Sequence, residues 1–302
     1  MKRWLAAIWI PAGVIAGSLV LSAETLTFAT YNVENYGPAD RLTEVGFRKD
    51  YPKPESEKAA LRRVLRAIDA DVVLLQEMGG PSHLEELRQD LALEGLVYLP
   101  GVVVVGADSD RHVALLSKRP WTAITTHADL TFRYFGKVEA VKRALLEVRF
   151  QVGAVEVVLF GLHLKSRYTD RADDPLSALR RAGEATAIRD RVLLRCPDPA
   201  QAHFLIMGDF NDDKASKPLQ FLQQRGKTPI ATLMPARDSR GESWTHLYGK
   251  IDAYTRVDHA LVSAALRPAV QGGAAQIYDG VGWREASDHR AVVITLELPD
   301  KK

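Results

Sequence analysis

Short apolar runs that end abruptly in polar residues recur along this chain. Residues 204–211 read Phe-Leu-Ile-Met-Gly-Asp-Phe-Asn, and residues 71–77 read Asp-Val-Val-Leu-Leu-Gln-Glu. Each run is too short for a buried helix and predicts a buried strand that ends in a functional site. On an extended chain Asp209 and Asn211 are two residues apart and point the same way. For residues 208–211 alone, an Asx turn that closes a core strand is an equally good interpretation.

The rest of the pattern predicts strands and a smaller number of helices. The predicted strands are 24–33, 71–77, 96–105, 112–117, 121–126, 143–150, 155–162, 204–209, 257–263 and 291–298, with a strand fragment at 243–246. Amphipathic stretches predict helices over 56–70, 85–92, 173–194 and 218–224. The strands between residues 96 and 162 follow one another without helices, which favours antiparallel pairing in a sandwich. Residues 36–57 carry no clear period and predict an extended loop.

Composition and charge narrow the class of protein. The 302 residues are 46% hydrophobic and 26% charged, which is typical of a globular protein and excludes a fibrous or disordered one. A net charge of +2 gives no strong overall attraction to nucleic acid or to anionic membranes, so any phosphate binding must be local. Cys196 is the only cysteine, so the core must be stable without an internal disulfide.

The first 23 residues predict a secretory signal, because Lys2 and Arg3 precede an apolar run that extends to Ala23. We predict cleavage after Ala23, a secreted or periplasmic protein, and a single domain over residues 24–302. Leu21 is unfavourable at the third position before that cut. The apolar run also approaches the about 20 residues that span a bilayer, so an uncleaved membrane anchor is the alternative.

Polar side chains suited to phosphoester chemistry stand at the ends of the predicted strands. In chain order they are Asn32, Glu77, His163 with Lys165, Asp209 with Asn211, Asp258, and Asp288 with His289. Carboxylate and amide oxygens are hard donors for a divalent cation or for a water that attacks phosphorus. Glu77 at the end of a buried strand needs a partner for its charge, either a metal ion or an arginine. We expect structural roles for His83, His127, His203 and His246, and assign none to His112.

The order of these motifs resembles the endonuclease/exonuclease/phosphatase superfamily. The matching segments are Thr30-Tyr31-Asn32-Val33-Glu34-Asn35, Leu75-Gln76-Glu77, Ala114-Leu115-Leu116-Ser117, His163-Leu164-Lys165-Ser166, Gly208-Asp209-Phe210-Asn211, Arg256-Val257-Asp258-His259 and Ser287-Asp288-His289. Each segment alone is weak evidence, whereas all of them in order are strong evidence. The resemblance implies an α+β fold of four layers, in which two mostly antiparallel sheets pack face to face between helices. It also implies hydrolysis of a phosphate ester with Mg²⁺, or with Mn²⁺ or Ca²⁺.

The resemblance further implies a role for each site residue. Asn32 and Glu77 match the metal-site positions, with Asp288 as a further acid there. Asp209 matches the acid that positions or deprotonates the attacking water, Asn211 matches a hydrogen-bond donor to the phosphate, His289 matches the catalytic histidine, and Asp258 matches the carboxylate that holds its ring. His163 is placed to stabilise negative charge in the transition state. Whether Asp209 or His289 takes the proton from water stays open, as does the number of metal ions.

Lys165 and Arg143 are candidates to bind the substrate phosphate, although Arg143 is also interpretable as a surface charge. The expected partner is a phosphoester substrate, with nucleic acid favoured. No protein partner is implied, and we expect a monomer.

Three functions are compatible with these motifs. A secreted endonuclease acting on DNA or RNA is favoured by the leader and by basic pairs, Lys165 with Arg167 and Arg180 with Arg181, although such arginines also suit a solvated helix face. The alternative is a phosphatase or phospholipid phosphodiesterase of the inositol-phosphate or sphingomyelinase type. A sphingomyelinase would be expected to carry an exposed apolar hairpin for membrane contact, but the sequence contains no convincing one, and residues 132–136 are the only aromatic loop candidate. A binding protein on an inactive scaffold is disfavoured, because every expected catalytic position is occupied.

Overall fold

The computed structural model describes residues 23–43 and 45–299. Its strands are β1 (Ala23–Asn32), β2 (Ala39–Thr43), β3 (Gly46–Tyr51), β4 (Val72–Met78), β5 (Val102–Val104), β6 (His112–Ser117), β7 (Ala123–His127), β8 (Thr131–Tyr134), β9 (Lys137–Ala140), β10 (Leu145–Val152), β11 (Val155–His163), β12 (Phe204–Asp209), β13 (Gln224–Arg225), β14 (Thr228–Pro229), β15 (Thr232–Leu233), β16 (Ala236–Arg237), β17 (His246–Tyr248), β18 (Ala253–Thr255), β19 (Asp258–Val262), β20 (Ala275–Ile277) and β21 (Val292–Pro299). The helices are α1 (Glu55–Ile68), α2 (Pro81–Leu93), α3 (Ala178–Arg195), α4 (Lys217–Gln223) and α5 (Trp283–Ala286), with 3₁₀ turns at Pro175–Ser177, Arg267–Ala269 and Gln271–Gly273.

Most strands form two large sheets. The first has the order β16-β20-β21-β1-β4-β6-β5, and the second has the order β15-β19-β12-β11-β10-β7. Near the centre of each sheet one pair is parallel, β1 with β4 and β11 with β12, so the carboxyl ends of these four strands lie at one edge. The strands β19 and β21 run antiparallel to their neighbours β12 and β1, and therefore begin at that edge.

Three apolar clusters hold the layers together. Phe28, Leu159 and Met207 belong to the cluster between the facing sheets. A second cluster joins α1 and α2 to the outer face of the first sheet, and a third joins α3 and α4 to the outer face of the second. In α1, Leu61 and Leu65 are four residues apart and fully buried, as an amphipathic helix on a sheet requires. The predicted four-layer α+β sandwich with two mostly antiparallel sheets is confirmed.

One glycine sets the closest approach between two central strands. Gly208 in β12 has φ +148°, and a Cβ atom there would lie 2.0 Å from the carbonyl oxygen of Leu162 in β11. No other residue could replace it without moving the strands apart. The register that follows places His163 beside Asp209, and Asp209 beside Asp258 on the next strand.

Two stretches differ from the elements that their patterns predict. Residues 36–57 are not an extended loop, because β2 and β3 pair within them as an antiparallel hairpin. The hairpin is solvated on both faces, with Leu42 and Phe47 exposed, so it has none of the apolar–polar alternation by which strands are recognised. The predicted strand 96–105 is reduced to β5, because Leu96 is used to end α2: its N–H donates to the Leu91 carbonyl at 2.8 Å.

The predicted signal sequence lies outside the described residues except for Ala23, which pairs with Pro299 at the start of β1. Over residues 23–43 and 45–299, no helix is both long enough and apolar enough to cross a membrane.

Candidate active site

The predicted strand-end residues meet at the edge where the carboxyl ends of β1, β4, β11 and β12 lie. Asn32 Nδ2 of the first sheet donates a hydrogen bond to Asp209 Oδ2 of the second sheet at 3.1 Å. His163 Nε2 lies 3.5 Å from the same carboxylate oxygen. All three side chains are almost completely buried, with Asp209 1% exposed. The two sheets therefore share one polar cluster at their common edge.

Asn211 completes the surroundings of the Asp209 carboxylate. Its backbone N–H donates to Asp209 Oδ1 at 2.7 Å, and its Nδ2 donates to Asp209 Oδ2 at 3.1 Å and to the Leu164 carbonyl at 2.9 Å. Burial and the nearby Asp258 charge nevertheless raise the pKa of Asp209 to about 7, against the opposing influence of His289. Hydrogen bonds thus hold the Asp209 carboxylate in one orientation, while its surroundings make ionisation costly.

Asp258 and His289 form the predicted pair, since His289 Nδ1 lies 2.8 Å from Asp258 Oδ2. Burial alone would lower the pKa of His289, but the Asp258 carboxylate outweighs it, with help from Asp288 and Asp209, so this pKa lies well above its usual value. The imidazole Nε2 is the nitrogen that Asp258 leaves available to a substrate.

Two hydroxyl groups that the sequence reasoning missed hold this pair in place. Thr245 Oγ1 accepts the backbone N–H groups of Val257 and Asp258, each at 3.0 Å. Ser287 Oγ donates to the Asn32 carbonyl at 2.7 Å and accepts the N–H of His289 at 3.0 Å. Ser287 therefore ties His289, three residues before β21, to the end of β1. Its place in the Ser287-Asp288-His289 segment is the only sequence signal for this role.

His163 is a neutral partner in the cluster. Burial is the main reason why its pKa lies well below the usual value, and the charges of Arg143, His289 and Arg111 lower it further. Its Nδ1 is buried and has no hydrogen-bond partner in the part of the chain that the structure describes. An imidazole of this kind can donate one hydrogen bond to a substrate oxygen without adding charge.

We call the part of the site formed by Asn32, Glu34, Glu77 and Asp288 its acidic side. Glu34 is the member of this group that the sequence reasoning did not select. Glu34 Oε2 accepts the N–H of Asp288 at 3.0 Å, and the Glu34 N–H donates to Asn32 Oδ1 at 3.0 Å. Burial and the Asp288 charge raise the pKa of Glu34 to about 7, partly offset by Lys53. The spacing Asn32-x-Glu34 at a strand end was a signal that could have identified it.

Glu77 lies further from the other acids than expected. Its Oε2 accepts the N–H of Asn35 at 3.1 Å and lies 3.9 Å from Arg111 Nε. Among the described residues, two groups of three acid or histidine side chains have ligand atoms within 4.8 Å of one another, and neither group includes Glu77. Of the two partners expected for Glu77, a metal ion or an arginine, the structure shows the arginine, Arg111.

Left-handed backbone conformations concentrate around these acids. Glu34, Asn35, Glu77 and Asn211 have φ values of +49°, +54°, +58° and +52°. Such conformations cost a non-glycine residue of order 1–3 kcal/mol and persist where the surroundings enforce them, often at functional sites. Here they turn the chain directly after β1, within β4 and after β12, which brings the polar side chains to the shared edge.

The donor chemistry of this side fits a hard divalent cation. Asn32, Glu34, Glu77 and Asp288 offer carboxylate and amide oxygens, which Mg²⁺, Mn²⁺ and Ca²⁺ prefer. The contact between Glu34 and the backbone of Asp288 supports the fit, because it places two partly exposed acids side by side, where burial and the Asp288 charge raise the pKa of Glu34 and a nearby cation would stabilise both. These residues would hold the cation, which supplies positive charge to neutralise phosphate oxygens and to activate water.

The two predicted phosphate-binding residues, Arg143 and Lys165, differ in how many of their N–H groups are already bonded within the protein. Arg143 is buried, and its Nη2 lies 3.0 Å from Asp108 Oδ2. Its Nε and Nη1 are buried without partners among residues 23–43 and 45–299. Lys165 Nζ instead donates to the Tyr168 carbonyl at 2.6 Å and to Ser166. Burial, with the Arg143 charge next, lowers the pKa of Lys165 to about 8.

One of the predicted basic pairs is wrong as a surface for nucleic acid. Arg181 is 2% exposed, its Nε pairs with Asp212 Oδ2 at 3.0 Å, and its Nη1 donates to the carbonyls of Lys165 and Leu176. It is neither a free basic group nor part of a solvated helix face. Its charge supports the loop after β11 rather than attracting phosphate.

The sequence model of the Endonuclease/Exonuclease/phosphatase family matches residues 29–289, which span every strand-end residue described above. The chain belongs to this family. Its members are metal-dependent phosphoester hydrolases, so the chain is an enzyme of that class. No curated protein sequence matches the chain.

Several solved structures share the fold at low sequence identity. A family protein from Bacteroides thetaiotaomicron is 16% identical with a TM-score of 0.63, covering 92% of this chain and 99% of that one. Sphingomyelinase C from Streptomyces griseocarneus is 18% identical with a TM-score of 0.60, over 90% and 99% of the two chains. The catalytic domain of human Nocturnin is 13% identical with a TM-score of 0.61, over 90% and 96%.

Proposed function

We propose that this chain is a secreted, Mg²⁺- or Mn²⁺-dependent endonuclease that hydrolyses phosphodiester bonds of DNA or RNA by attack of an activated water. The observation that carries the proposal is the shared cluster in which Asn32, His163, Asp209 and Asn211 contact one another across two sheets, beside the Asp258–His289 pair. In-line attack on phosphorus needs an acceptor for the proton of water and donors for the phosphoryl oxygens.

We assign the proton acceptor to Asp209 on geometric grounds. Asp209 is the acid at the centre of the cluster, and His289 has one ring nitrogen committed to Asp258. The remaining nitrogen of His289 then carries a proton and donates to a phosphoryl oxygen. His163 can donate on the other side of Asp209, whereas both Nδ2 hydrogens of Asn211 are already given to Asp209 and to the Leu164 carbonyl, so Asn211 serves to hold Asp209 in place.

A polyanionic substrate is favoured by the charges beside His163. Arg111, Arg143 and Lys165 all lie close enough to depress its pKa, after the larger effect of burial. Arg143 also carries buried N–H groups that have no partner in the described part of the chain. Those groups of Arg143 can bind a phosphoryl oxygen, whereas Lys165 Nζ is already bonded to Tyr168 and Ser166, and a nucleic acid supplies phosphates on both sides of the bond that is cut.

A phospholipid phosphodiesterase is the second candidate, because of one surface feature. The hairpin of β2 and β3 exposes Leu42 (85%), Val45 (73%) and Phe47 (57%). Arg41 at its base donates to the Asn35 and Gly37 carbonyls, so the hairpin projects from the acidic side of the site. Exposed apolar side chains next to a phosphoesterase site suit contact with a lipid surface.

Substrate turnover with Mg²⁺ tests both candidates together. The panel is supercoiled plasmid, a folded RNA, sphingomyelin vesicles, inositol phosphates and an aryl phosphodiester, each with Asp209→Asn as the inactive control. Nicking of plasmid or RNA supports the endonuclease. Turnover of sphingomyelin alone, lost in Leu42→Ser/Phe47→Ser, would replace it with the lipid enzyme.

Secretion follows from the leader and has its own test. Amino-terminal sequencing of protein recovered from the medium or periplasm should begin near Glu24. Cytoplasmic protein that retains Met1 would refute export, and a membrane-bound full-length chain would establish the anchor instead.

A further inference from the structure

A second histidine lies beside His289 and has no role in the reaction proposed above. His246 begins β17 and forms an isolated backbone bridge with His289. Their ring centres are 4.6 Å apart, at an interplanar angle of 42°. The sequence favours a structural role for His246, and the structure adds that its ring lies against that of His289. Its position next to the reacting groups calls for a chemical explanation.

Both imidazoles direct the same nitrogen toward one carboxylate. His246 Nε2 lies 3.6 Å from Asp288 Oδ2, and His289 Nε2 lies 3.9 Å from Asp288 Oδ1. Ligand atoms of all three residues lie within 4.8 Å of one another. We call His246, Asp288 and His289 the His₂Asp cluster. Neighbouring ligands of a tetrahedral Zn²⁺ ion are about 3.4 Å apart when each bond is about 2.1 Å, so small side-chain rotations would close the site.

The other nitrogen of each ring is already held. His289 Nδ1 lies 2.8 Å from Asp258 Oδ2, and His246 Nδ1 lies 3.4 Å from Thr255 Oγ1 on the paired strand β18. Metal-binding histidines usually have their second nitrogen engaged in this way, which fixes the ring and selects the ligating nitrogen. Two histidines with held Nδ1 atoms and converging Nε2 atoms are therefore arranged as metal ligands.

The cluster is also accessible from solvent. The side chains of His246 and Asp288 are 23% and 40% exposed, whereas that of His289 is 7% exposed. An ion can thus approach through His246 and Asp288 and reach His289 at the base. The acid-rich surroundings, with Glu34 bonded to the backbone of Asp288, favour positive charge there.

We propose that the His₂Asp cluster binds a transition metal ion of the Zn²⁺ class through Nε2 of His246, the Asp288 carboxylate and Nε2 of His289, and that this ion inhibits hydrolysis. Imidazole nitrogens suit Zn²⁺, whereas Mg²⁺ prefers oxygen ligands, so the cluster and the all-oxygen donors select different ions while sharing Asp288. A ligating imidazole has lost its proton at that nitrogen. Inhibition, which rests on the proposed function, follows because His289 Nε2 then cannot donate to the phosphoryl oxygen.

Metal binding is measured first, without reference to activity. Protein freed of transition metals is kept in excess Mg²⁺. It is titrated with Co²⁺, whose binding is followed by visible absorption bands, and separately with Zn²⁺, whose binding is followed by calorimetry. We expect one ion per chain, and His246→Gln should weaken its affinity by at least about 10–100-fold. The matched control is His203→Gln, which removes a histidine at the opposite end of β12 and should bind like wild type. Equal affinity in wild type and His246→Gln would overturn the site.

Inhibition is measured second, with each variant compared to its own rate without Zn²⁺. Wild type and His203→Gln should be inhibited over the concentration range in which Zn²⁺ binds, and His246→Gln should need at least about tenfold more. Binding at the cluster without inhibition would overturn the inhibitory role. If no phosphoester is turned over, the proposed function fails, while the Co²⁺ titration still decides the metal site.

Discussion

Two buried carboxylates in the same sheet, Glu147 and Asp209, have pKa values that are shifted in opposite directions. At one end of β10, Glu147 is 1% exposed and accepts hydrogen bonds from His127 Nε2, Arg149 Nε and Arg195 Nε at 2.8–2.9 Å. These partners outweigh burial and lower its pKa to about 2. At the end of β12, Asp209 is equally buried but lies beside a second acid, and its pKa is raised to about 7.

The difference indicates that the Glu147 cluster stabilises the fold, and it supports the chemical role proposed for the Asp209 cluster. A buried charge with matched partners is stabilised in the folded state, whereas a buried charge that is crowded by another acid is an energetic cost. Perturbed acids of the second kind occur where a proton or a cation is to be handled. Removing the charge should therefore destabilise the protein much more at Glu147 than at Asp209.

The largest effect should come from removing the divalent cation that the acidic side requires. We expect phosphoester turnover to fall to background in excess chelator and to return with Mg²⁺ or Mn²⁺. Because the cation binds the folded state, Mg²⁺ should also raise the melting temperature of wild type. Glu34→Gln, which removes one of two crowded acids, should reduce that increase. Full turnover by protein shown to be metal-free would contradict this prediction.

Asp209→Asn should separate activity from stability. The substitution keeps the size of the side chain and removes the proposed proton acceptor, so kcat should fall by about 10²–10⁴-fold. Its free energy of unfolding should stay within about 1 kcal/mol of wild type, because the loss of charge repulsion with Asp258 offsets the hydrogen bonds that the new Nδ2 group cannot accept. Steady-state kinetics and urea denaturation measure the two quantities. An active variant, or one destabilised by several kcal/mol, would show that Asp209 is a structural acid.

Much of this site was predictable because its residues stand at strand ends. A buried strand is recognisable from an apolar run such as Val72–Leu75, and parallel strands bring their carboxyl ends to one edge. The pairing of His163, Asp209 and Asp258 was not deducible, since it depends on the strand order and on the close approach at Gly208. The contact between His246 and His289 was missed because β17 and β18 are short and have little apolar–polar pattern by which to recognise them.

The Asp258–His289 pair should behave as one unit. His289→Ala should lower kcat by about 10²–10⁴-fold, and Asp258→Asn should cause a large loss as well, because it removes the charge that favours imidazolium. If the residues act together, the double variant should be little worse than His289→Ala alone. Losses that multiply fully would mean that Asp258 acts elsewhere, for example as a partner for Arg256.

The smallest effect on activity and a clear effect on stability should come from Glu147→Gln. Removing the charge leaves Arg149 and Arg195 without their buried acid, so the free energy of unfolding at pH 7 should fall by about 3 kcal/mol. The kcat value should stay within about twofold of wild type, because Glu147 lies outside the active site. Glu156→Gln is the matched control: its side chain is 49% exposed and, within residues 23–43 and 45–299, pairs with Arg149 alone, so its effect should stay below about 1 kcal/mol.

The stability difference between wild type and Glu147→Gln should depend on pH if the negative charge of Glu147 is its cause. The pKa of Glu147 is about 2 in the folded protein and about 4.3 for an unfolded glutamate, so the folded state holds the ionised form more strongly. Its contribution is therefore fully present above about pH 5 and is lost as the pH falls from about 4 toward 2. Urea denaturation of wild type and Glu147→Gln at pH 7, 5 and 3 should show the stability difference shrink only at the lowest pH. A difference that stays constant down to pH 3 would mean that the shape and hydrogen bonds of Glu147, rather than its charge, hold β10 against α3.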